Sequence, residues 1–201
     1  MPRIGVLVSG RGSNLQALLD AATANALGGA VAVVISNIED AFALERARRA
    51  SVPALFLDHR GRAREDFDRE VAERLREHEV ELICLAGFLR RLSAAFLAEF
   101  PGRVLNIHPS LLPAFPGLAA QRQALEYGAK VSGATVHLVD EGLDSGPVVL
   151  QEAVPVLESD TVESLSARIL EVEHRLYPRA VRLLLEGGYR LEGRRFMLEG
   201  V

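Results

Sequence analysis

The residues best placed to do chemistry are Asn106 and His108. They lie in Val104-Leu105-Asn106-Ile107-His108-Pro109-Ser110-Leu111-Leu112-Pro113, an apolar run that ends in a histidine and is closed by two prolines. We read this as a buried strand delivering two polar side chains to a stiff turn at a sheet edge. Residues two apart in a strand point to the same side. Asparagine brings an amide donor that stays neutral, and histidine a donor that changes charge near pH 7. Such a pair at the carboxyl end of a strand is where open α/β sheets place ligands. The alternative is that each residue only caps the strand or faces solvent. The pairing, the proline-fixed turn and a later Leu143-Asp144-Ser145-Gly146-Pro147 segment weigh against it.

A second signal lies near the N-terminus. An apolar run, Arg3 to Val8, leads into Ser9-Gly10-Arg11-Gly12-Ser13-Asn14, and a helical pattern with Leu15, Leu18, Leu19 and Ala22 follows. Strand, glycine-rich loop and helix N-terminus in that order make an anion site, because free N–H groups point outward and the helix dipole favours negative charge. The spacing matches neither the P-loop nor the dinucleotide fingerprint. A turn that only caps the helix, with Ser13 or Asn14 as N-cap, is the competing reading.

The elements that must position these residues alternate. Apolar strands are expected at Arg3–Val8, Val31–Ser36, Ala54–Leu57, Glu81–Leu85 and Val104–Ile107. Between them come helices at Ala41–Ala50 and Arg62–Glu79, the latter with Phe67, Val71 and Leu75 inward and His78 at its end. A short helix capped by Ser93 runs to Phe100. This predicts a Rossmann-like α/β fold with a doubly wound, mainly parallel sheet. After Pro113 the pattern changes. A short helix at Ala119–Tyr127 and strands at Val131–Val139 and Val148–Val156 predict an antiparallel C-terminal extension, its connecting loop folding back over the Asn106/His108 strand end. Asp160-Thr161-Val162-Glu163 resembles a capping box opening a long C-terminal helix that Pro178 should kink or interrupt. Gly187-Gly188 ends it before a small hairpin, Tyr189 to Leu198.

Length and composition bound the function. A chain of 201 residues suits one sizeable core, read here as a single domain with halves 1–113 and 114–201. Net charge is −4, without the basic footprint of a nucleic-acid binder, and Trp is absent. The one cysteine, Cys84, lies in an apolar run and reads as a small core residue in a cytosolic protein. No apolar run is long enough to span a bilayer, and no leader precedes the first strand, so a cytoplasmic protein is expected. His137 is read as structural, in preference to a supporting place behind the site residues, and His59 as surface.

Taken together, these segments resemble the glycinamide ribonucleotide formyltransferases, the folate-dependent enzymes of purine biosynthesis. The resemblance runs through Ser9-Gly10-Arg11-Gly12-Ser13-Asn14-Leu15-Gln16, Leu85-Ala86-Gly87-Phe88-Leu89-Arg90, Asn106 to Pro113, Val136-His137-Leu138-Val139, Leu143 to Pro147 and Glu173-His174. It implies transfer of a formyl group from 10-formyltetrahydrofolate, a co-substrate, to the amine of glycinamide ribonucleotide, with no metal. Such a step develops an oxyanion and releases a proton. The resemblance makes Asn106 and His108 the donors, and Asp144 the neighbour that favours charged His108 and passes the proton on. It assigns the ribonucleotide half, 1–113, a phosphate site at Gly12, Ser13 and Asn14, and sets Glu173 toward the ribose or glycinamide. Folate is expected at Arg64, Phe88, Leu89, Arg90, Arg91, Leu92 and Leu97, and along Val139, Asp140 and the residues up to Asp144. The arginines would meet its carboxylates. A monomer or homodimer that binds neither nucleic acid nor membrane is implied.

The chain departs from the family at Ala114, at Ala119 to Gln121, at Arg91 and at Leu170, positions that bear on phosphate and folate contact. Rivals are methionyl-tRNA formyltransferase, which carries a further C-terminal domain and a basic surface, and formyltetrahydrofolate hydrolase, which carries an N-terminal regulatory domain. A catalytically dead ribonucleotide- or folate-sensing module is the rival from another class.

Overall fold

The computed structural model describes residues 1–199, and the chain divides into two compact units, Met1–Asn106 and the residues from Ile107 onward. In the first unit five strands run parallel: β1 (Arg3–Val8), β2 (Ala30–Ser36), β3 (Ala54–Phe56), β4 (Leu82–Leu85) and β5 (Val104–His108), the last carrying the chain out of this unit. Their order is β3-β2-β1-β4-β5. Ile4, Val6 to Val8, Val33 to Ile35 and Leu82 to Leu85 are buried, as continuous apolar strands of a parallel sheet must be when both faces are covered. The helices α1 (Ser13–Thr23), α2 (Phe42–Arg49), α3 (Arg64–Glu77) and α4 (Ala94–Glu99) alternate with them. Gly5 is where α3 comes close to β1, since a Cβ there would meet the Leu75 side chain at 2.4 Å. Ser93 caps α4 as expected, its hydroxyl accepting from the Phe96 N–H at 3.3 Å.

The second unit contains α5 (Ala120–Tyr127), the strands β6 (Val131–Leu138) and β7 (Val148–Pro155), α6 (Val162–Glu186) and a hairpin of β8 (Tyr189–Glu192) and β9 (Arg195–Leu198). β6 and β7 pair antiparallel, and α6 packs on both. The predicted α/β class, the antiparallel C-terminal strands and the long C-terminal helix are all present. The capping box sits one residue later than predicted. Thr161 caps α6 and Ser164, not Glu163, closes the box, because the reciprocal bond falls at the third helical position.

Pro178 does not interrupt α6, which runs on to Glu186. An interior proline costs about 3 kcal/mol. Beyond it Ala180, Val181 and Leu184 are buried, beside Leu176 and Tyr177, and each large apolar side chain buried returns about 1.5–3 kcal/mol.

Candidate active site

β5 ends at His108, which is buried, and Asn106 two residues earlier is half-buried. The imidazole is held on both sides. Its Nε2 lies 2.9 Å from the Phe115 carbonyl oxygen, which can only accept, so Nε2 carries a hydrogen. Its Nδ1 lies 3.4 Å from Oδ2 of Asp144, and the same carboxylate oxygen accepts the Gly117 N–H at 2.7 Å. Asp144 adopts a left-handed backbone with φ 46°, a conformation disfavoured for residues other than glycine and tolerated best by Asp and Asn. The loop thus bends to bring its carboxylate to the imidazole, as the fold-back reading expected.

His137, assigned a structural role, lies beside this pair. Its Nε2 is 3.7 Å from Oδ1 of Asp144, and its Nδ1 donates to the Leu138 carbonyl at 3.0 Å. Burial holds its pKa below 6.5, against the opposing pulls of the Leu138 carbonyl and Asp144. The Asp144 carboxylate therefore faces two buried imidazoles, one across each oxygen.

A hydroxyl and an amide fix the turn after His108. Thr135 Oγ1 donates to the Ser110 carbonyl at 2.7 Å and accepts the Leu112 N–H at 3.1 Å. Gln151 Nε2 donates to Thr135 Oγ1 at 2.9 Å and to the Leu112 carbonyl at 2.7 Å. The Leu112–Pro113 bond is cis. Neither Thr135 nor Gln151 carries a sequence signal, because each acts from a different strand on a turn that is distant in the chain.

Neither Ser13 nor Asn14 caps α1. The N-cap is Gly12, at φ 72°, and no side chain caps the helix. α2 braces the loop from behind: the Ala43 N–H donates to the Gly10 carbonyl at 3.1 Å and Arg46 Nε to the Arg11 carbonyl at 2.9 Å. Arg46 also reaches Gln16 Oε1 at 3.0 Å. With those carbonyls turned to α2 and the first helical turn uncapped, the loop retains the character of an anion site.

Among the residues assigned to folate, Arg90 is half-buried with its guanidinium 4.8 Å above the Phe67 ring, Leu89 is exposed, and Phe88, Leu92 and Leu97 are half-buried. Arg64 is the exposed first residue of α3, 3.4 Å from Glu65, and Arg91 is exposed. In the second unit Val139 is half-buried, while Asp140 organises its own loop, accepting from the Gly142 N–H at 3.0 Å and the Ser145 hydroxyl at 2.5 Å. Glu173 is buried on α6.

A cleft of about 340 Å³ lies at the carboxyl ends of β2 and β3, lined by Asn37 to Asp40, Phe56, His59 and Arg60. No residue predicted for the site lines it. His59, read as surface, is half-buried there with Nδ1 3.0 Å from the Asn37 carbonyl, and Arg60 is paired with Asp58. Among the described residues no group of three His, Cys, Asp or Glu side chains is placed to hold a metal ion.

A family model described as formyl transferase matches residues 2–181. Phosphoribosylglycinamide formyltransferase of Escherichia coli strain K12 is 43% identical over 98% of this chain and 93% of its own length. The crystal structure of glycinamide ribonucleotide transformylase 1 from Symbiobacterium toebii superposes with a TM-score of 0.97 at 58% identity, covering 99% of this chain and 94% of that one. The trifunctional purine biosynthetic protein adenosine-3 of Drosophila melanogaster is 51% identical over 92% of this chain, which spans 14% of that protein's length.

Proposed function

Because the chain belongs to the formyl transferase family, and within it to the phosphoribosylglycinamide formyltransferases, we propose that it transfers the formyl group of 10-formyltetrahydrofolate to the amine of glycinamide ribonucleotide in purine synthesis. The observation that carries this reading is the His108–Asp144 pair at the end of β5. The amine nitrogen attacks the formyl carbon and the carbonyl oxygen takes the electron pair. Asn106 and His108 donate hydrogen bonds to that oxygen, which is where negative charge develops. Asp144 accepts the amine proton and passes it through a water to the folate nitrogen as the carbon–nitrogen bond breaks. The products are the formylated amine and tetrahydrofolate. His108 Nε2 gives its hydrogen to the Phe115 carbonyl here, so binding the formyl oxygen requires the ring to exchange or share that acceptor.

In this reading Gly12, Ser13 and Asn14 hold the ribonucleotide phosphate, and Glu173 faces its ribose or glycinamide. Phe88 to Leu92, Leu97, Arg64, Val139 and Asp140 receive folate. No metal takes part, and the protein works in the cytoplasm as a monomer or homodimer. Mass spectrometry of the reaction tests the assignment. A formyl group on the ribonucleotide amine supports it, and free formate with an unmodified ribonucleotide overturns it in favour of hydrolysis.

A further inference from the structure

α3 carries one residue that its packing does not call for. Asp68 is 1% exposed in a stretch that otherwise buries Phe67, Val71, Ala72 and Leu75. Burying a carboxylate costs free energy unless hydrogen bonds repay it. Asp68 has one such bond among the described residues: Oδ2 accepts the Ser93 N–H at 2.6 Å. Its other oxygen, Oδ1, is buried without a hydrogen-bond partner among the described residues. An apolar side chain would fill the space at lower cost, so the carboxylate is explained by what it holds.

What it holds is the far end of the segment between β4 and α4. Ser93 is itself 3% exposed, and its N–H lies outside the helical ladder that its hydroxyl caps. The near end is pinned by Ser9, whose N–H donates to the Gly87 carbonyl at 3.0 Å and whose hydroxyl accepts the Leu89 N–H at 2.9 Å. Between the anchors Leu89 and Arg91 are exposed, and Arg90 lies on the ring of Phe67, the residue next to Asp68. Two adjacent residues of α3 thus grip the segment, Phe67 at Arg90 and Asp68 at Ser93.

We propose that Asp68 is a positioning residue for folate: its buried carboxylate fixes residues 88–92 in the one arrangement that meets the co-substrate. This rests on the reading that the segment receives folate. Asp68 touches no reacting atom, so its removal acts on folate affinity and leaves the chemistry of bound substrates intact.

The test is steady-state kinetics with each substrate varied in turn, together with thermal unfolding, on Asp68→Ala, Asp68→Leu, Asp68→Asn and Arg90→Ala. Displacing a binding segment by a fraction of an ångström to an ångström costs about tenfold or more, so Asp68→Ala should raise the folate KM about tenfold while kcat and the ribonucleotide KM stay near the parent values. Asp68→Asn keeps an acceptor for the Ser93 N–H and should restore the folate KM. Asp68→Leu fills the same volume without an acceptor. It should behave as Asp68→Ala does and decides the matter if that variant does not fold. An unchanged folate KM in Asp68→Ala and Asp68→Leu, with a raised one in Arg90→Ala, overturns the role of Asp68 and leaves the folate segment standing. An unchanged KM in Arg90→Ala as well overturns the folate assignment itself. A lower unfolding temperature with both KM values unmoved reduces Asp68 to a packing residue and overturns the proposal.

Discussion

At the scale of single residues, the proposed reaction rests on one imidazole and its neighbours. If Asn106 and His108 are the oxyanion donors, Asn106→Ala and His108→Ala should each lower kcat by about 10²–10³, the scale of one lost donor. Asp144→Asn should cost at least as much, since the amide keeps the Gly117 contact but takes up no proton. Near-parent turnover by folded His108→Ala would rule the mechanism out. His137 gives a prediction of a different kind. Burial lowers its pKa below 6.5 in the folded protein, so below that pH the unfolded chain binds the proton more readily. Stability is therefore full above 6.5 and falls as pH drops toward the folded-state value. His137→Gln should flatten the loss of Tm between about pH 7 and about pH 5. A loss as steep as the parent's would assign the acid sensitivity elsewhere. The approach of Asp144 to His108 was legible in the sequence because each sits in a short motif with turn residues around it. Asp68 was not. It lies in the charged run Arg64 to Glu70, where a buried aspartate looks like a solvated one. The nearness of His137 to Asp144 was half legible: a place behind the site residues was the lesser of two readings, and the contact depends on where the loop after β6 returns.

At the scale of elements, α2 and β6 do the positioning. Gly12 takes a left-handed φ, and a Cβ there would meet the Ala43 Cβ at 2.6 Å and its Cα at 2.8 Å. Gly12→Ala should therefore push the loop off α2, lowering stability by about 1–3 kcal/mol and raising the ribonucleotide KM. Denaturant unfolding and initial-rate kinetics check the two parts separately. Thr135→Val removes the hydroxyl shared by Ser110, Leu112 and Gln151 at constant shape. It leaves buried partners unsatisfied, at about 1–3 kcal/mol, and should reduce kcat by loosening the turn that carries His108. Most strand limits were legible to within a residue, because continuous apolar runs broken by glycine and proline leave little choice. The competing reading of the glycine loop and the reading of Pro178 fail for one cause. Gly12, not Ser13 or Asn14, caps α1, and α6 runs through Pro178. Local propensity pointed one way in each case, and tertiary packing decided.

At the scale of the molecule, the net charge of −4 lacks the basic excess on which nucleic-acid binding draws, and no helix among the described residues is long and apolar enough to cross a membrane. The α/β class was legible from alternation alone. The activity was not, since a parallel sheet hosts many chemistries and function lies in the site. The resemblance that pointed to the activity rests on the joint presence of the glycine loop, the Asn106-to-Pro113 segment and the Asp144 turn. The most direct measurement is therefore the conversion of 10-formyltetrahydrofolate to tetrahydrofolate, followed by absorbance, with and without glycinamide ribonucleotide. Turnover is expected only when the ribonucleotide is present. Turnover of equal rate without it would contradict the account, marking a hydrolase and leaving the Gly12 to Asn14 loop without its phosphate.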